Sequence, residues 1–441
     1  MTRPSTVPST ALPSTGLPST GLLTDQYELT MLDAALADGT ASRRCTFEVF
    51  ARSLPHGRRY GVVAGIPRLL DALARFTFGD EEIRVLCDAG VRDRVAEYLS
   101  GHRFGGDITG YQEGELYFPG SPVLSVSGTF AECVLLETLV LSVLNHDCAI
   151  ASAAARMATA ANGRPLIEMG SRRTHEEAAV ASARAAYLAG FAATSNLEAH
   201  RRFGVPTTGT SAHAFTLLHD SEADAFRAQV EALGVSTTLL VDTYDITQGI
   251  ATAVEIAGTG LGAVRIDSGD VGVLAQQARA QLDALGATGT RVVISGDLDE
   301  HAIAALRAEP VDAYGVGTAV VTGSGAPAAG MVYKLVEVDG RPVAKRSSSK
   351  ESRGGAKSAV RRHRPTGTAV EEVVHRVDAE VEVGEHDRVV PVPLLVKGEP
   401  AGELPTLDES REHLRRGLVA VPWEGLKLSR GEPAIPTTFI T

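Results

Sequence analysis

From Pro165 onward the chain repeats one unit: a short apolar run, a glycine or polar residue at its end, then a helix-forming stretch. The runs are Leu166-Ile167, Val205 into Thr208, Leu239 to Val241, Ala263 to Ile266, Val292 to Ile294 and Ala313 to Val316. Ala-rich stretches such as Glu176 to Leu188, Glu222 to Leu233 and Val273 to Leu285 separate them. A strand followed by a crossover of this length returns parallel to itself and with a right-handed turn. Repetition of the unit therefore predicts an α/β fold, and favours a closed, irregular TIM-like barrel over an open sheet. In such a barrel the functional residues stand just past each strand, at its C-terminal end.

Upstream the pattern changes. Asp25 followed by Glu28 fits a helix capping box ahead of a helix from Tyr27 to Leu36. Phe47 to Phe50 reads as a strand, Gly61 to Phe76 as a helix, and Glu132 to Ala160 as one long helix. Tyr111, Leu116, Phe118 and Val123 to Val126 mark short strands broken by glycine and proline. Val373 to Val396 alternates enough to form strands that return to this first unit. A chain of 441 residues suits two domains. The expected division is a Pro/Ser/Thr-rich disordered tail at 1–21, an α+β sandwich-like domain built from 22–145 and 358–441, and the barrel at 146–357. The tail repeats Pro-Ser-Thr and lacks the apolar residues needed to fold.

The formal net charge is −12, which argues against general nucleic-acid or anionic-membrane binding. Any phosphate site must then be local, made from a few basic residues and backbone N–H groups. Cys45, Cys87, Cys133 and Cys148 are scattered without metal-site spacing, so reduced thiols in the cytoplasm are expected. No uninterrupted apolar run has the length of a membrane span.

The strand ends carry the chemistry. Glu168-Met169-Gly170-Ser171-Arg172-Arg173 offers two guanidinium forks to an anion, although paired surface arginines also read this way. Gly209-Thr210-Ser211-Ala212-His213 places a histidine where it can act as a base or as a nucleophile toward phosphate. Asp242-Thr243-Tyr244-Asp245, Arg265-Ile266-Asp267-Ser268-Gly269-Asp270 and Ser295-Gly296-Asp297-Leu298 supply carboxylates beside small residues. Carboxylates there suit ribose hydroxyls and magnesium, and small residues let the backbone approach a phosphate. Tyr314-Gly315-Val316-Gly317-Thr318 ends a late strand, where barrels often hold phosphate. From the residues alone the reading stops at a barrel enzyme for a phosphorylated sugar.

Taken in order, these segments, together with Thr24-Asp25-Gln26-Tyr27 and Phe47-Glu48-Val49-Phe50, resemble the nicotinate phosphoribosyltransferase family from about Leu22 to Lys357. The resemblance implies a type II phosphoribosyltransferase that joins nicotinate to 5-phosphoribosyl 1-diphosphate, releasing diphosphate, in NAD biosynthesis. It further implies Mg2+, ATP as co-substrate, a phosphohistidine at His213, and a homodimer with shared active sites. Carried over residue by residue, Tyr27, Met169, Arg172 and Ser195 would surround nicotinate. Arg265 and Asp267 would join His213 as catalytic residues. Arg265 again, with Asp242, Asp245, Ser268, Gly269, Ser295, Gly296, Gly315, Gly317 and Thr318, would hold the phosphoribosyl diphosphate. Asp267 and Asp270 would carry the metal, and a basic loop with Lys345 and Lys350 would meet ATP or diphosphate. Related nicotinamide enzymes carry an aspartate where this chain has Ser195, so a neutral serine favours the acid. A nicotinamide or quinolinate phosphoribosyltransferase and a non-catalytic nucleotide-binding barrel are the alternatives.

Overall fold

The computed structural model describes residues 18–345 and 353–440. Its centre is a parallel sheet with strands at Leu166–Glu168, Ala193–Thr194, Thr238–Leu240, Ala263–Ile266, Arg291–Gly296 and Ala313–Val316. In space the order runs from Ala193–Thr194 through Leu166–Glu168, Ala313–Val316, Arg291–Gly296 and Ala263–Ile266 to Thr238–Leu240. The first strand thus pairs with both the second and the last, which is the order of a ring opened at one place. Beyond Thr194 the ring gains only a single bridge, to Thr207. No ladder joins that bridge to Thr238–Leu240 among the described residues, so the sheet is curled and parallel but not closed by backbone pairing. The expected barrel is thus met in part, as a curled sheet of six parallel strands. The segment from Val205 to Thr208 is too polar past its first residue to sustain a strand.

Apolar strand residues such as Val264, Ile266, Val292, Ile294, Tyr314 and Val316 are buried. They share one core with the inner faces of the surrounding helices, including Ile250, Ala253, Ala275 and Ala278. Alanine on those faces lets helix and sheet approach closely, and removing apolar surface from water drives the packing.

A second, antiparallel sheet runs Arg341–Pro342, Met331–Val338, Arg44–Ala51, Leu124–Thr129, Asp107–Gly110, Val392–Val396 and Glu399–Pro400. The alternating stretch near the C-terminus therefore does return to the first part of the chain, through Val392–Val396 beside Asp107–Gly110. Met331–Val338 also belongs here, paired with Arg44–Ala51, although in sequence it follows the parallel strands directly. A four-stranded sheet holds Arg388–Val389, Lys357–His363, Ala369–Arg376 and Thr437–Ile440.

The helix Glu137–Ala161 joins the two cores. Its early residues Leu139, Val140 and Leu144 pack into the antiparallel core, and Ile150, Ala154 and Met157 into the parallel one. By length and composition it could cross a membrane, but most of its apolar window is buried inside the protein, as a core helix should be. It is separate from the short helix Phe130–Val134, so the long helix expected from Glu132 is broken near Leu135. Gly61–Val62 is a strand and only Ile66–Ala74 is helical, because Gly65 takes φ +94 and Pro67 favours the first turn.

Two further expectations change near the N-terminus. Asp25 precedes the helix Gln26–Asp38 without a side-chain cap. Glu28 turns inward instead, accepting from the Thr138 backbone N–H at 2.8 Å and its hydroxyl at 2.7 Å. The tail boundary at 21 also falls late. The Thr20 hydroxyl donates to Ala72 O at 2.6 Å and Ser19 to Thr77 O at 2.5 Å, which docks these residues on the helix Ile66–Ala74 and the segment after it. The earlier part of the expected tail, and Lys350, lie outside the described residues.

Candidate active site

Arg265 is the hub of the strand ends. It lies in the strand Ala263–Ile266 and spreads its guanidinium over four neighbours, Ser211 O among them at 3.4 Å. Nε donates to Ser295 Oγ at 2.7 Å, Nη1 to Thr210 Oγ1 at 2.9 Å, and Nη2 to Asp267 Oδ1 at 2.8 Å. Ser295 Oγ also donates to Asp267 Oδ1. Burial raises the Asp267 pKa, but the Ser295 hydroxyl and Arg265 outweigh it and hold the carboxyl below its usual range. The result is a fixed plus–minus pair at the mouth of the sheet.

Beside it, Asp242 Oδ2 accepts the Asp267 backbone N–H at 2.9 Å and the Ser268 hydroxyl at 2.8 Å. Its other oxygen, Oδ1, is buried with no hydrogen-bond partner among the described residues. His213 Nε2 stands 3.8 Å from that oxygen, and its Nδ1 lies 3.2 Å from Thr243 Oγ1. The His213 side chain is 41% exposed, so an incoming phosphoryl group can reach it. His213 opens the helix His213–Leu218, which begins just past the unpaired side of the sheet.

Glycines line the late strand ends. A Cβ on Gly315 would sit 2.8 Å from Met169 Sδ and 3.0 Å from Ser295 Cβ. Gly296 takes φ +123 and packs over the Asp267 carbonyl, and Gly269 takes φ +88 in its turn. Gly317 and Thr318 start the short helix Thr318–Val321.

The loops after the first two strands are cross-tied. Buried Glu168 accepts Thr194 Oγ1 at 2.5 Å and the Gly170 backbone N–H. Asn196 Nδ2 donates to Ser171 Oγ at 3.0 Å. Between these ties Ser195 is exposed, its backbone N–H held by Glu168 O at 2.9 Å. Arg172 is exposed and makes no ion pair among the described residues, which weighs against a surface-pair reading of the two arginines.

Not every residue singled out from the sequence joins this group. Tyr27 sits on the helix Gln26–Asp38 in the antiparallel layer, 46% exposed. Partial burial and the nearby Glu137 and Glu28 push its phenol up to about 12. Asp245 and Asp270 are spent as helix N-caps, accepting from Gln248 N and Val273 N. Lys357, in the basic stretch, pairs with buried Glu48 at 2.7 Å and so serves the fold. Thr210, Thr243, Thr194 and Asn196 take part without having been assigned roles. Only their positions in a strand, or within three residues of a strand or bridge, could have flagged them.

Among the described residues no three His, Cys, Asp or Glu side chains form a metal cage. Magnesium needs none when phosphates and waters supply most of its ligands. The partnerless Asp242 Oδ1 and the Asp267 carboxylate fit such a cation better than Asp267 with the capping Asp270.

Comparisons with known proteins show the family. Residues 22–145 match the nicotinate phosphoribosyltransferase N-terminal domain, and residues 165–366 match the nicotinate phosphoribosyltransferase family. Nicotinate phosphoribosyltransferase pncB1 of Mycobacterium tuberculosis is 65% identical over 426 residues, 95% of each chain. The Bacillus subtilis nicotinate phosphoribosyltransferase is 39% identical over 73% of this chain and 68% of its own. The fold also matches the crystal structure of human nicotinic acid phosphoribosyltransferase with a TM-score of 0.80. That match covers 94% of this chain and 97% of the other at 24% identity. The chain belongs to the nicotinate phosphoribosyltransferase family.

Proposed function

We propose that this chain forms nicotinate mononucleotide and diphosphate from nicotinate and 5-phosphoribosyl 1-diphosphate. The observation that carries the reading is the Arg265 hub, with Asp267, Ser295 and Thr210, in a chain 65% identical to a protein named for this activity. The pyridine nitrogen lone pair forms the new bond to ribose C1. The C1–O bond to diphosphate breaks, and its electron pair leaves with the diphosphate. Positive charge grows on the ribose in passing, and the Asp242 and Asp267 carboxylates are suited to stabilise it. Arg265 is suited to the departing or terminal phosphate oxygens, and the glycine strand ends to the 5′-phosphate through backbone donors. No strong base is needed, so positioning supplies much of the rate.

Magnesium, if bound, would neutralise diphosphate charge, with Asp242 and Asp267 as its protein ligands. ATP would act through His213, whose exposed ring can accept a phosphoryl group, making the synthesis ATP-driven. A phosphohistidine close to the Asp242 carboxylate would be a high-energy anion beside another: its formation would leave ADP, and attack of water on its phosphorus would break the N–P bond, release inorganic phosphate and return the imidazole.

Ser195 and Arg172 suit the nicotinate carboxylate, one neutral and one cationic. We further propose a homodimer in which Tyr27 stacks on the pyridine of the partner's site. Supporting this, Tyr27 and Met31 are exposed on one surface, and Leu217, Leu218 and Tyr244 are exposed close to His213 in sequence or space. A cytoplasmic location follows from this substrate set. Closure of the sheet into an irregular barrel is part of the same reading, because side chains bridge the unpaired side.

The test is diphosphate release by purified protein with phosphoribosyl diphosphate and magnesium, offered nicotinate, nicotinamide or quinolinate, with and without ATP. ATP-stimulated release with nicotinate alone is expected. Turnover with nicotinamide would reassign the Ser195 region, and no turnover with any of the three would leave a binding barrel.

A further inference from the structure

A cavity of about 410 Å³ lies away from the Arg265 hub. The turn Pro55–Gly57, the helix Glu137–Ala161, the loop past Arg291–Gly296 and residues 428–430 border it. Two buried guanidiniums, Arg58 and Arg156, stand in its wall. One buried carboxylate answers them: Arg156 Nε donates to Glu300 Oε1 at 3.0 Å. Burial raises the Glu300 pKa, but the Ser324 hydroxyl and Arg156 hold the carboxyl below its usual range, so it is spent as a charge. Arg58 faces carbonyls instead, donating to Gly323 O at 2.5 Å. The second lining carboxylate, Asp299, accepts the backbone N–H groups of His301 and Ala302. At the rim stand His56, His301 and Arg430, all exposed.

Charge in this wall is therefore weighted to the positive, in a chain whose formal net charge is −12. One donor is also unspent. Arg156 Nε and Nη2 have partners, Nη2 reaching Leu428 O at 2.9 Å, whereas Nη1 has none among the described residues. A guanidinium held by two neighbours with its third edge toward a cavity is a preformed anion contact.

The backbone adds a second sign. His56 takes φ +53 and Ser324 φ +51, two of the five non-glycine residues with positive φ among those described. Both line this cavity, and each is fixed by its own contact: His56 Nε2 lies 3.2 Å from Gly325 O, and Ser324 Oγ donates to Glu300 Oε2 at 2.6 Å. Strained positions persist where the surroundings over-determine them, and they gather at ligand sites. Arg59 also holds the C-terminal segment in place through Ser429 O and Arg430 O, at 3.3 and 3.4 Å.

We propose that this cavity binds a small phosphate-bearing anion, with Arg156 and Arg58 on its floor and Arg430 at its mouth. Its walls run on from the two glycine loops of the active site. Glu300 follows Gly296 by one short turn, and Ser324 follows the helix that begins at Thr318. The proposal rests on the cavity and stands apart from the reaction assigned above.

The first test is anomalous diffraction from crystals of the full chain soaked in sodium tungstate. A tungsten peak within hydrogen-bond reach of Arg156 is expected. Peaks at the strand ends alone, or none, overturn the proposal. The second is calorimetric titration of inorganic phosphate into the Arg265→Ala chain, in which the strand-end site is weakened. One site is expected to remain, and adding Arg430→Glu to weaken it at least tenfold. Arg430 is exposed, so this change does not threaten the fold. Equal binding with and without Arg430→Glu overturns the proposal. So does a dissociation constant weaker than about 1 mM, which marks an adventitious ion only.

Discussion

His213 Nε2 lies 3.8 Å from Asp242 Oδ1, a buried carboxylate oxygen without a hydrogen-bond partner among the described residues. Asp242 thus has one oxygen spent on holding Asp267 and Ser268 and one without a partner among the described residues. Asp242→Asn keeps the shape but puts an amide against either His213 or the Asp267 N–H. Turnover is expected to fall by about a hundredfold, the scale of a small misplacement at a reacting centre. Steady-state rates with the fold checked by circular dichroism measure it; unchanged turnover would remove Asp242 from the site.

His213→Ala is expected to abolish stimulation by ATP, while slow ATP-independent synthesis survives because the remaining groups still position the substrates. Nucleotide formation followed with and without ATP decides it. Equal stimulation in variant and parent protein would falsify the phosphohistidine assignment.

Arg265→Lys retains the charge and loses the fork that binds Ser295, Thr210 and Asp267 together. A fall in kcat/KM of about 10²–10³, the range for losing one preorganised donor at a reacting centre, is expected. The loss should be borne chiefly by the phosphoribosyl diphosphate dependence. A variant that fails only in nicotinate affinity would point to a different role.

Gly170→Ala places a Cβ 2.2 Å from Val321 Cγ1 and 2.9 Å from the Gly317 carbonyl. The backbone oxygen cannot step aside without moving the glycine loop. Overpacking of this kind costs about 1–3 kcal/mol. A lowered denaturant midpoint is the expected readout, and a midpoint equal to that of the parent protein would contradict the close packing of these loops.

Glu115 is buried between the sheets and accepts from Arg361, from Arg388 at 2.7 Å and from His413 at 2.9 Å. Burial raises its pKa, yet Arg361, His413 and Arg388 more than offset it and leave the carboxyl well below its usual range. A depressed folded pKa gives stability that is present above the unfolded value of about 4.3 and is lost as pH falls toward the folded one. Thermal unfolding from pH 7 to pH 3 should therefore show a steep acid loss that Glu115→Gln reduces, at the price of lower stability at pH 7. Identical pH profiles would deny Glu115 that part.

Much of the parallel sheet was legible because its strands are strongly apolar and end abruptly. Leu239, Ala263 to Ile266, Val292 to Ile294 and Ala313 to Val316 all fall in strands. Ala193–Thr194 escaped notice because two residues, one of them alanine, carry no periodicity. Val205 to Thr208 promised a strand, but Pro206 donates no N–H and the residues after it are polar, so one bridge at Thr207 is what remains. Local rules misled at Asp25, where the tertiary pull of Thr138 on Glu28 defeats a capping box. Arg265, Asp267, Asp242 and Ser295 come to one rim because they lie at or just past the ends of neighbouring strands, and His213 reaches it from the start of the helix His213–Leu218. Partner choice was out of reach, because whether an aspartate caps a helix, as Asp270 does, or meets a neighbouring loop, as Asp242 does, depends on a degree of sheet curl that no spacing encodes.

The unpaired side of the parallel sheet has a further consequence. Between Thr207 and Thr238 no backbone ladder runs among the described residues, yet Arg265 reaches Thr210 and His213 reaches Asp242 and Thr243 across that side. The groups assigned to chemistry are therefore also the rivets of the wall. A substrate that engages them must compete with those contacts or join them, so the hold across that side changes when the site fills. Deuterium uptake along residues 209–218 should accordingly report the filling of the site as directly as turnover does.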